Sequence, residues 1–196
     1  MTTQRKPRGP YRKGVRRREQ ILDTALEVFA RRSDAPLQEI ADRVGLSQAG
    51  VLHYFGSREE LLLAVLRRRD TLDLAEARED STAPGEAVAR TVRHNMDQPG
   101  LVRLFVALSS AATDPAHPAH EFFADRYRDL TATIARGLGS GQRTGAVRDD
   151  EDAEHMARLL VAVSDGLQLQ WLLDPSVDMA ALVETFDRLC ATPPDD

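Results

Sequence analysis

Apolar residues in this chain recur at the three- and four-residue spacing of an α-helix, and this periodicity sets its fold class. No segment combines the alternation of a strand with the turn residues of a hairpin. Proline, glycine and short polar residues interrupt the helical pattern, for example at residues 80–85. The pattern predicts an all-α protein of about nine helices, at residues 15–32, 37–44, 47–55, 57–79, 85–97, 100–113, 118–138, 151–173 and 178–191.

Charge divides the chain into two unlike parts. Residues 1–70 carry 15 Lys and Arg against 9 Asp and Glu, whereas the remainder carries 11 against 22. Eight of the basic residues fall within residues 1–18, which contain no acid and include two prolines and two glycines. This composition predicts a flexible basic arm at residues 1–14 that neutralises DNA phosphates.

Residues 36–55 have the layout of a helix-turn-helix. Ala41 is small where two helices must cross closely, Gly45 can take the positive φ of a tight turn, and Ser47 is a preferred N-cap for the second helix. An ordinary helical corner without a DNA role is the alternative, but the basic arm and this order of residues argue against it. We therefore expect a DNA-binding domain at residues 15–75 and a second helical domain at residues 80–196.

The second helix of this unit presents its N-terminal side to the base edges of DNA. The expected base-facing residues are Gln48, Ala49, Gly50 and His53, and the expected phosphate contacts are Ser47, Tyr54, Ser57 and Arg58. A Gln side chain pairs with adenine through two hydrogen bonds, while a His donates to guanine or to a phosphate. A helix N-terminus beside an arginine holds phosphate through backbone N–H groups and charge. For Phe55, core packing is the expected role.

Residues 16–69 resemble the tetracycline-repressor-like (TetR) family of transcriptional regulators. The resemblance rests on a basic start, a first apolar helix and four short motifs: Ile40-Ala41, Gly45-Leu46-Ser47, Tyr54-Phe55 and Ser57-Arg58-Glu59 with Leu61. It implies a homodimeric repressor in the cytoplasm, associated with the nucleoid, that binds a palindromic double-stranded DNA operator. It also implies release by a small-molecule effector, which we expect to be largely apolar.

Three features depart from the family pattern. Ala49 stands where the family usually has Gly, and Val51-Leu52 replaces the usual Leu-Tyr pair. The family often draws a phosphate contact from that Tyr, so Tyr54 is the expected substitute. Pro36 stands where a Ser or Thr cap is common, so capping of the first short helix is expected from Asp34 or Ser33.

The C-terminal half combines an apolar interior with sparse polar groups, which is the composition of a small-molecule pocket between helices. Core packing explains each of these residues singly, and only the set suggests a pocket. The full set is His94, Met96, Phe105, Leu108, Ser109, Phe122, Phe123, Tyr127, Leu167, Gln170 and Trp171. The expected effector contacts are His94, Phe105, Ser109, Phe123, Tyr127, Gln170 and Trp171.

The last two predicted helices each carry an apolar stripe. The first stripe is Met156, Leu159, Leu160, Val163, Leu167 and Trp171, and the second is Leu182, Val183, Phe186, Leu189 and Cys190. Repeated by a two-fold axis, two such helices form a four-helix bundle, so we expect the homodimer interface here. Burial of both stripes within one protomer is the alternative.

The sequence carries no catalytic or metal-binding motif with supporting context, so we expect no enzyme activity, no metal and no cofactor. His117 and His120 have no third ligand nearby in sequence, and Cys190 is the only cysteine. No apolar run approaches the ~20 residues that cross a bilayer. A helical enzyme, or a protein-interaction scaffold that uses the helix-turn-helix for docking, remains the alternative function.

Overall fold

The computed structural model describes residues 9–79 and 84–192, and within these ranges the all-α prediction is confirmed. The helices are α1 (Gly9–Arg31), α2 (Leu37–Val44), α3 (Gln48–Phe55), α4 (Arg58–Glu79), α5 (Pro84–Met96), α6 (Pro99–Ala111), α7 (His120–Thr144), α8 (Ala153–Leu173) and α9 (Met179–Cys190). None of the helices in these two ranges combines the length and apolar character that a bilayer crossing needs.

Helix α1 begins at Gly9, six residues before the predicted start at residue 15. The part of the expected flexible arm at residues 9–14 is therefore helical, and residues 1–8 lie outside the described residues. Proline is tolerated in the first turn of a helix, which explains Pro10. A Cβ added at Gly14 would have no neighbouring atom within 4 Å, so no close contact requires glycine at this position of the helix.

Helix α7 continues through the glycine-rich stretch that the sequence marks as a break. Leu138 anchors this part because its side chain is buried in the core. Gly141 has a packing role, since a Cβ there would lie 2.5 Å from Cγ2 of Val147. The helix ends only at Gly145, whose φ of 74° lies in the left-handed region that favours glycine. The predicted end at residue 138 is therefore six residues too early.

Two hydrophobic cores stabilise the chain, and α6 contributes to both. The first core joins α1–α4 to α6 and the start of α7, and the second joins α5–α9. Leu101, Leu104 and Phe105 of α6 enter the first core, while Val102 enters the second. The predicted domain boundary near residue 80 is therefore a boundary along the chain, and packing crosses it.

Candidate DNA interface and effector cavity

The helix-turn-helix forms from the caps that the sequence predicts. Helix α2 ends at Gly45, whose φ is 66° and whose N–H bonds back to the carbonyls of the preceding turn. Ser47 caps α3, because its Oγ accepts a hydrogen bond from the N–H of Gly50 at 3.0 Å. Ala41 is fully buried, as the close crossing of α2 and α3 requires.

The start of α2 differs from the prediction. Pro36 occupies the N-cap position with φ −70° and ψ 145°, and no side chain caps this helix end. The expected caps Asp34 and Ser33 are therefore wrong. The extended φ and ψ of Pro36 bring the chain into the helix without a side-chain cap. The negative charge of Glu39, in the first turn, interacts favourably with the positive end of the helix dipole.

The expected base-facing residues lie at the surface, except Gly50, which is partly buried. Gln48 has a fixed orientation, since its Nε2 donates to Oε1 of Gln38 at 2.8 Å. Gln38 in turn donates to Oδ1 of Asp42 at 2.5 Å. This relay leaves Oε1 and the second N–H of Gln48 for an adenine edge. His53 is exposed, and its ring meets Tyr54 edge-on with centroids 5.7 Å apart.

The expected phosphate contacts lie around the starts of α3 and α4. Ser57 caps α4 by accepting the N–H of Glu60 at 3.0 Å. Arg58 is exposed and donates to the carbonyl of Ala35 at 3.3 Å, which places its guanidinium beside the loop before α2. Tyr54 is partly buried against the first core, and Phe55 is buried in it, as expected.

Sequence reasoning missed two kinds of contact in this region. Gln38 contacts one of the expected base-facing residues, Gln48, ten residues later, and no local pattern shows such a pair. Arg17 and Arg18 follow the expected arm at residues 1–14 and make contacts within the chain. Arg17 donates to the carbonyl of Val44, and the Arg18 guanidinium lies 4.6 Å from the centre of the Phe55 ring. Both residues hold α1 against the helix-turn-helix.

A cavity of ≈ 780 Å³ lies between α4, α5, α7 and α8. Its apolar wall includes Val88 and Val92 of α5, Ile134 of α7 and Val161 of α8. Its polar wall includes Asp165 of α8 together with further side chains of α4, α5 and α7. The volume lies in the range of small-molecule sites.

Two family models match this chain and together span most of the described residues. Residues 21–65 match bacterial regulatory proteins of the tetR family, and residues 84–192 match the C-terminal domain of BetI-type transcriptional repressors. The chain belongs to the TetR family. It is a DNA-binding transcriptional regulator, and the helix-turn-helix described above is the DNA-binding unit of that family.

The similarity to individual TetR-family relatives extends over most of the chain. The BetI regulator of Brucella suis biovar 1 is 33% identical over 185 residues, covering 87% of this chain and 89% of its own length. The BetI regulator of Rhizobium meliloti is 31% identical over 163 residues, covering 79% and 77%. A transcriptional regulator from Saccharomonospora viridis, crystallised in complex with choline, superposes with a TM-score of 0.73 at 27% identity, covering 92% and 100%. These relatives are regulators, so they lend no support to the alternative of an enzyme or a docking scaffold.

None of the seven expected effector contacts lines the cavity of this TetR-family chain. Phe105, Phe123 and Trp171 are buried in the cores, His94 and Gln170 are exposed, and Ser109 and Tyr127 are partly buried. Phe122, a member of the wider set, does line the cavity. Tyr127 reaches the cavity wall indirectly, because its hydroxyl donates to Oδ2 of Asp165 at 2.6 Å. Effector contact by the seven residues stays a prediction.

An ion pair crosses the cavity wall between α4 and α7. Arg126 donates to both oxygens of Asp70, with distances of 2.9 and 3.2 Å. Burial acts to lower the pKa of Arg126, but the charge and hydrogen bonds of Asp70 outweigh it, so the pKa is raised. Nearby, burial raises the pKa of Asp73 and Asp165. The charges of this wall are thus held in a poorly solvated setting.

Proposed function

We propose that this regulator is a homodimeric repressor of a palindromic operator, released when a small molecule fills the cavity between α4, α5, α7 and α8. The observation that carries the proposal is the path of α4. Its N-terminal residue, Arg58, follows the helix-turn-helix and is one of the expected phosphate contacts, and its later residues Arg67, Asp70 and Asp73 line the cavity. A ligand that displaces α4 therefore moves the DNA-binding unit.

Spacing supplies the means of release. A dimer reads two half-sites when its recognition helices sit about 34–36 Å apart, one turn of DNA. A ligand with higher affinity for a differently spaced state shifts the dimer away from the operator-bound state. The choline that the Saccharomonospora viridis regulator holds supports a small-molecule site in this fold.

Linkage provides the test of this proposal. The operator is first recovered as the genomic DNA fragments that the protein retains. A compound that raises the melting temperature of the protein is then titrated into the protein–operator complex. We expect operator affinity to fall by roughly 5- to 150-fold, and the operator to weaken binding of the compound by the same factor. A cavity-bound compound that binds free and operator-bound protein equally contradicts the proposal.

The Asp70–Arg126 pair is expected to transmit this coupling, since it ties α4 to α7 at the cavity wall. We predict that Arg126→Met reduces the ratio of operator affinities without and with saturating ligand by about fivefold or more. Arg158→Met is the matched control, because Arg158 forms an exposed ion pair with Glu154 on α8 and neither residue lines the cavity. Equal ratios in the two variants would show that the pair has no part in coupling.

Readout by α3 gives a second prediction. Gln48→Ala is expected to cost about 1–3 kcal/mol on the best operator and to relax the preference at one base position. Arg58→Ala is expected to weaken all sequences alike and to reduce the slope of log affinity against log salt by about 0.9. Binding to an operator library at several salt concentrations measures both effects. A loss of sequence preference in the Arg58 variant instead would mean that α3 docks in another orientation.

The proposed dimer interface lies on the exposed face of α8 and α9. The predicted stripe on α8 is wrong in part, because Met156, Leu160, Leu167 and Trp171 are buried within the protomer. The structure exposes a different stripe at the alternating spacing of three and four residues that helix pairs use: Leu159, Ala162, Gly166, Leu169 and Leu173. On α9, Val183 and Cys190 are buried, whereas Leu182 and Leu189 are exposed.

A further inference from the structure

Negative charge dominates the wall of the cavity. Among the described side chains that line it, the guanidinium groups of Arg67 and Arg126 occur with six carboxylates: Asp70, Asp73, Glu121, Asp125, Asp129 and Asp165. Two of these carboxylates, Asp73 and Asp125, also pair with arginines outside the lining, Arg69 and Arg128. Arg126 binds both oxygens of Asp70 through Nε and Nη2, and its Nη1 is buried without a hydrogen-bond partner. The cavity therefore offers an excess of carboxylates to whatever enters it, and a carboxylate ligand would meet repulsion.

Two buried amide oxygens in the same wall have no hydrogen-bond donor. They are Oδ1 of Asn95 and Oε1 of Gln168, and both side chains are more than nine-tenths buried. The Gln168 amide is oriented by its Nε2, which faces the carbonyl of Ser164 at 3.5 Å and Oδ1 of Asp165 at 3.4 Å. Leaving a buried acceptor without a partner is unfavourable, so a ligand donor that reaches it gains from the new hydrogen bond.

Asp165 lies beside Gln168 and is the third acceptor. Its oxygens accept from the Tyr127 hydroxyl and from Gln168, and no cation pairs with it among the described residues. The charge of Arg126 reaches it, yet burial still raises its pKa. A carboxylate in this setting gains more from a directly bound cation than one in water does.

The kind of cation follows from what the wall lacks. Recognition of a quaternary ammonium uses a cage of aromatic faces, because its methyl groups donate no N–H bond. Among the described residues, Phe122 is the single aromatic one that lines this cavity, and the Arg67 guanidinium already lies 5.3 Å from its ring centre. Within residues 9–79 and 84–192, no three His, Cys, Asp or Glu side chains converge to hold a metal ion.

We propose that the effector is an organic cation bearing N–H donors, such as a primary ammonium, an amidinium or a guanidinium, attached to an apolar group. Its donors bind Asp165, Gln168 and Asn95, and its apolar part packs on Val92 and Ile134. This inference rests on the proposed effector role of the cavity. The proposed effector differs from choline, with which the Saccharomonospora viridis regulator was crystallised, because the nitrogen of choline carries no hydrogen.

Four probes that share the same hexyl chain length and differ in their head group test which class of head group the cavity prefers. Hexylamine, hexyltrimethylammonium, 1-hexanol and hexanoate are titrated into the full-length dimer by calorimetry, with choline as a fifth probe. We expect hexylamine to bind about tenfold or more tightly than each of the others, since charge-assisted N–H bonds to buried acceptors are the strong ones.

Two variants locate the binding. Gln168→Leu removes the unpartnered oxygen, so it is expected to raise the melting temperature while lowering hexylamine affinity about fivefold or more. Asp165→Asn keeps an acceptor for Tyr127 and is expected to abolish the preference for hexylamine over 1-hexanol. Glu154→Gln is the control, because it makes the same change of charge at an exposed position of α8 outside the cavity. It is expected to leave the affinity unchanged.

The outcomes separate this inference from the proposed function. Binding of hexyltrimethylammonium, choline or hexanoate at least as tight as that of hexylamine overturns the inference, and so does the absence of binding by all five probes. If hexylamine binds as expected but leaves operator affinity unchanged, the effector role fails while the binding preference stands. Hexylamine affinity unchanged in both the Gln168 and Asp165 variants also overturns the inference, since binding then lies elsewhere.

Discussion

Replacing Gly100 by alanine is expected to lower the free energy of unfolding by about 3 kcal/mol or more, at the upper end of what overpacking costs. Gly100 lies in the first turn of α6, against the end of α1. A Cβ at this position would lie 2.1 Å from the carbonyl oxygen of Phe29, 2.5 Å from the nitrogen of Arg32 and 2.8 Å from its Cα. These are backbone atoms, so a side-chain rotation cannot relieve the clash, and α1 must separate from α6.

Gly139→Ala is the matched control for this substitution. It also lies inside a helix, but its Cβ would meet only Nη1 of Arg143 at 3.8 Å and Cβ of Ala153 at 3.9 Å, which are ordinary contacts. Alanine is favoured over glycine in a helix by roughly 1 kcal/mol, so this variant is expected to be as stable as the parent or more stable. Urea unfolding measures both. Equal stability of the two variants would mean that α1 and α6 are not in close contact in solution.

Replacing Leu169 by aspartate is expected to convert the dimer into a monomer and to weaken operator binding by about 10²-fold or more, because two linked half-site contacts become one. Leu169 is 50% exposed and lies in the exposed α8 stripe, next to its central residue Gly166. In the proposed two-fold interface, an aspartate there would lie close to its own copy, so two carboxylates would be buried together.

The fold of the protomer is expected to survive this change, since an exposed side chain contributes little to the core. Ala132→Asp is the control, because it places the same charge on the exposed face of α7. Sedimentation velocity gives the oligomeric state, and a fluorescent operator gives the affinity. A dimeric Leu169 variant with normal operator binding contradicts an interface on this face of α8.

The helix-turn-helix could be predicted almost to the residue because its determinants are local. Gly45 supplies the left-handed turn and Ser47 the cap, and each acts within four residues of its own position. The start of α2 shows the limit of such reasoning, since Pro36 enters the helix without the side-chain cap that the sequence suggests. At the end of α7, the same glycine signal predicts a break, but packing of Gly141 against Val147 allows the helix to continue.

The cavity residues on α8 could not be predicted for a related reason. Helical spacing shows that Leu167 and Gln168 lie on different sides of α8, but it does not show which side faces which neighbour. Sequence reasoning took Gln170 and Trp171 as the pocket side. Contact with α7 and α9 instead buries Trp171 in the core and turns Ser164, Asp165 and Gln168 toward the cavity.

The sequence by itself determined the fold class and the helix-turn-helix, because apolar period, caps and turn glycines act over a few residues. Only the tertiary structure decided which face of α8 lines the cavity and which is left exposed for a partner. It also decided that Arg17 and Arg18 pack within the chain and that Gln38 orients Gln48. These outcomes depend on contacts between residues distant in sequence, whose energies no local pattern contains.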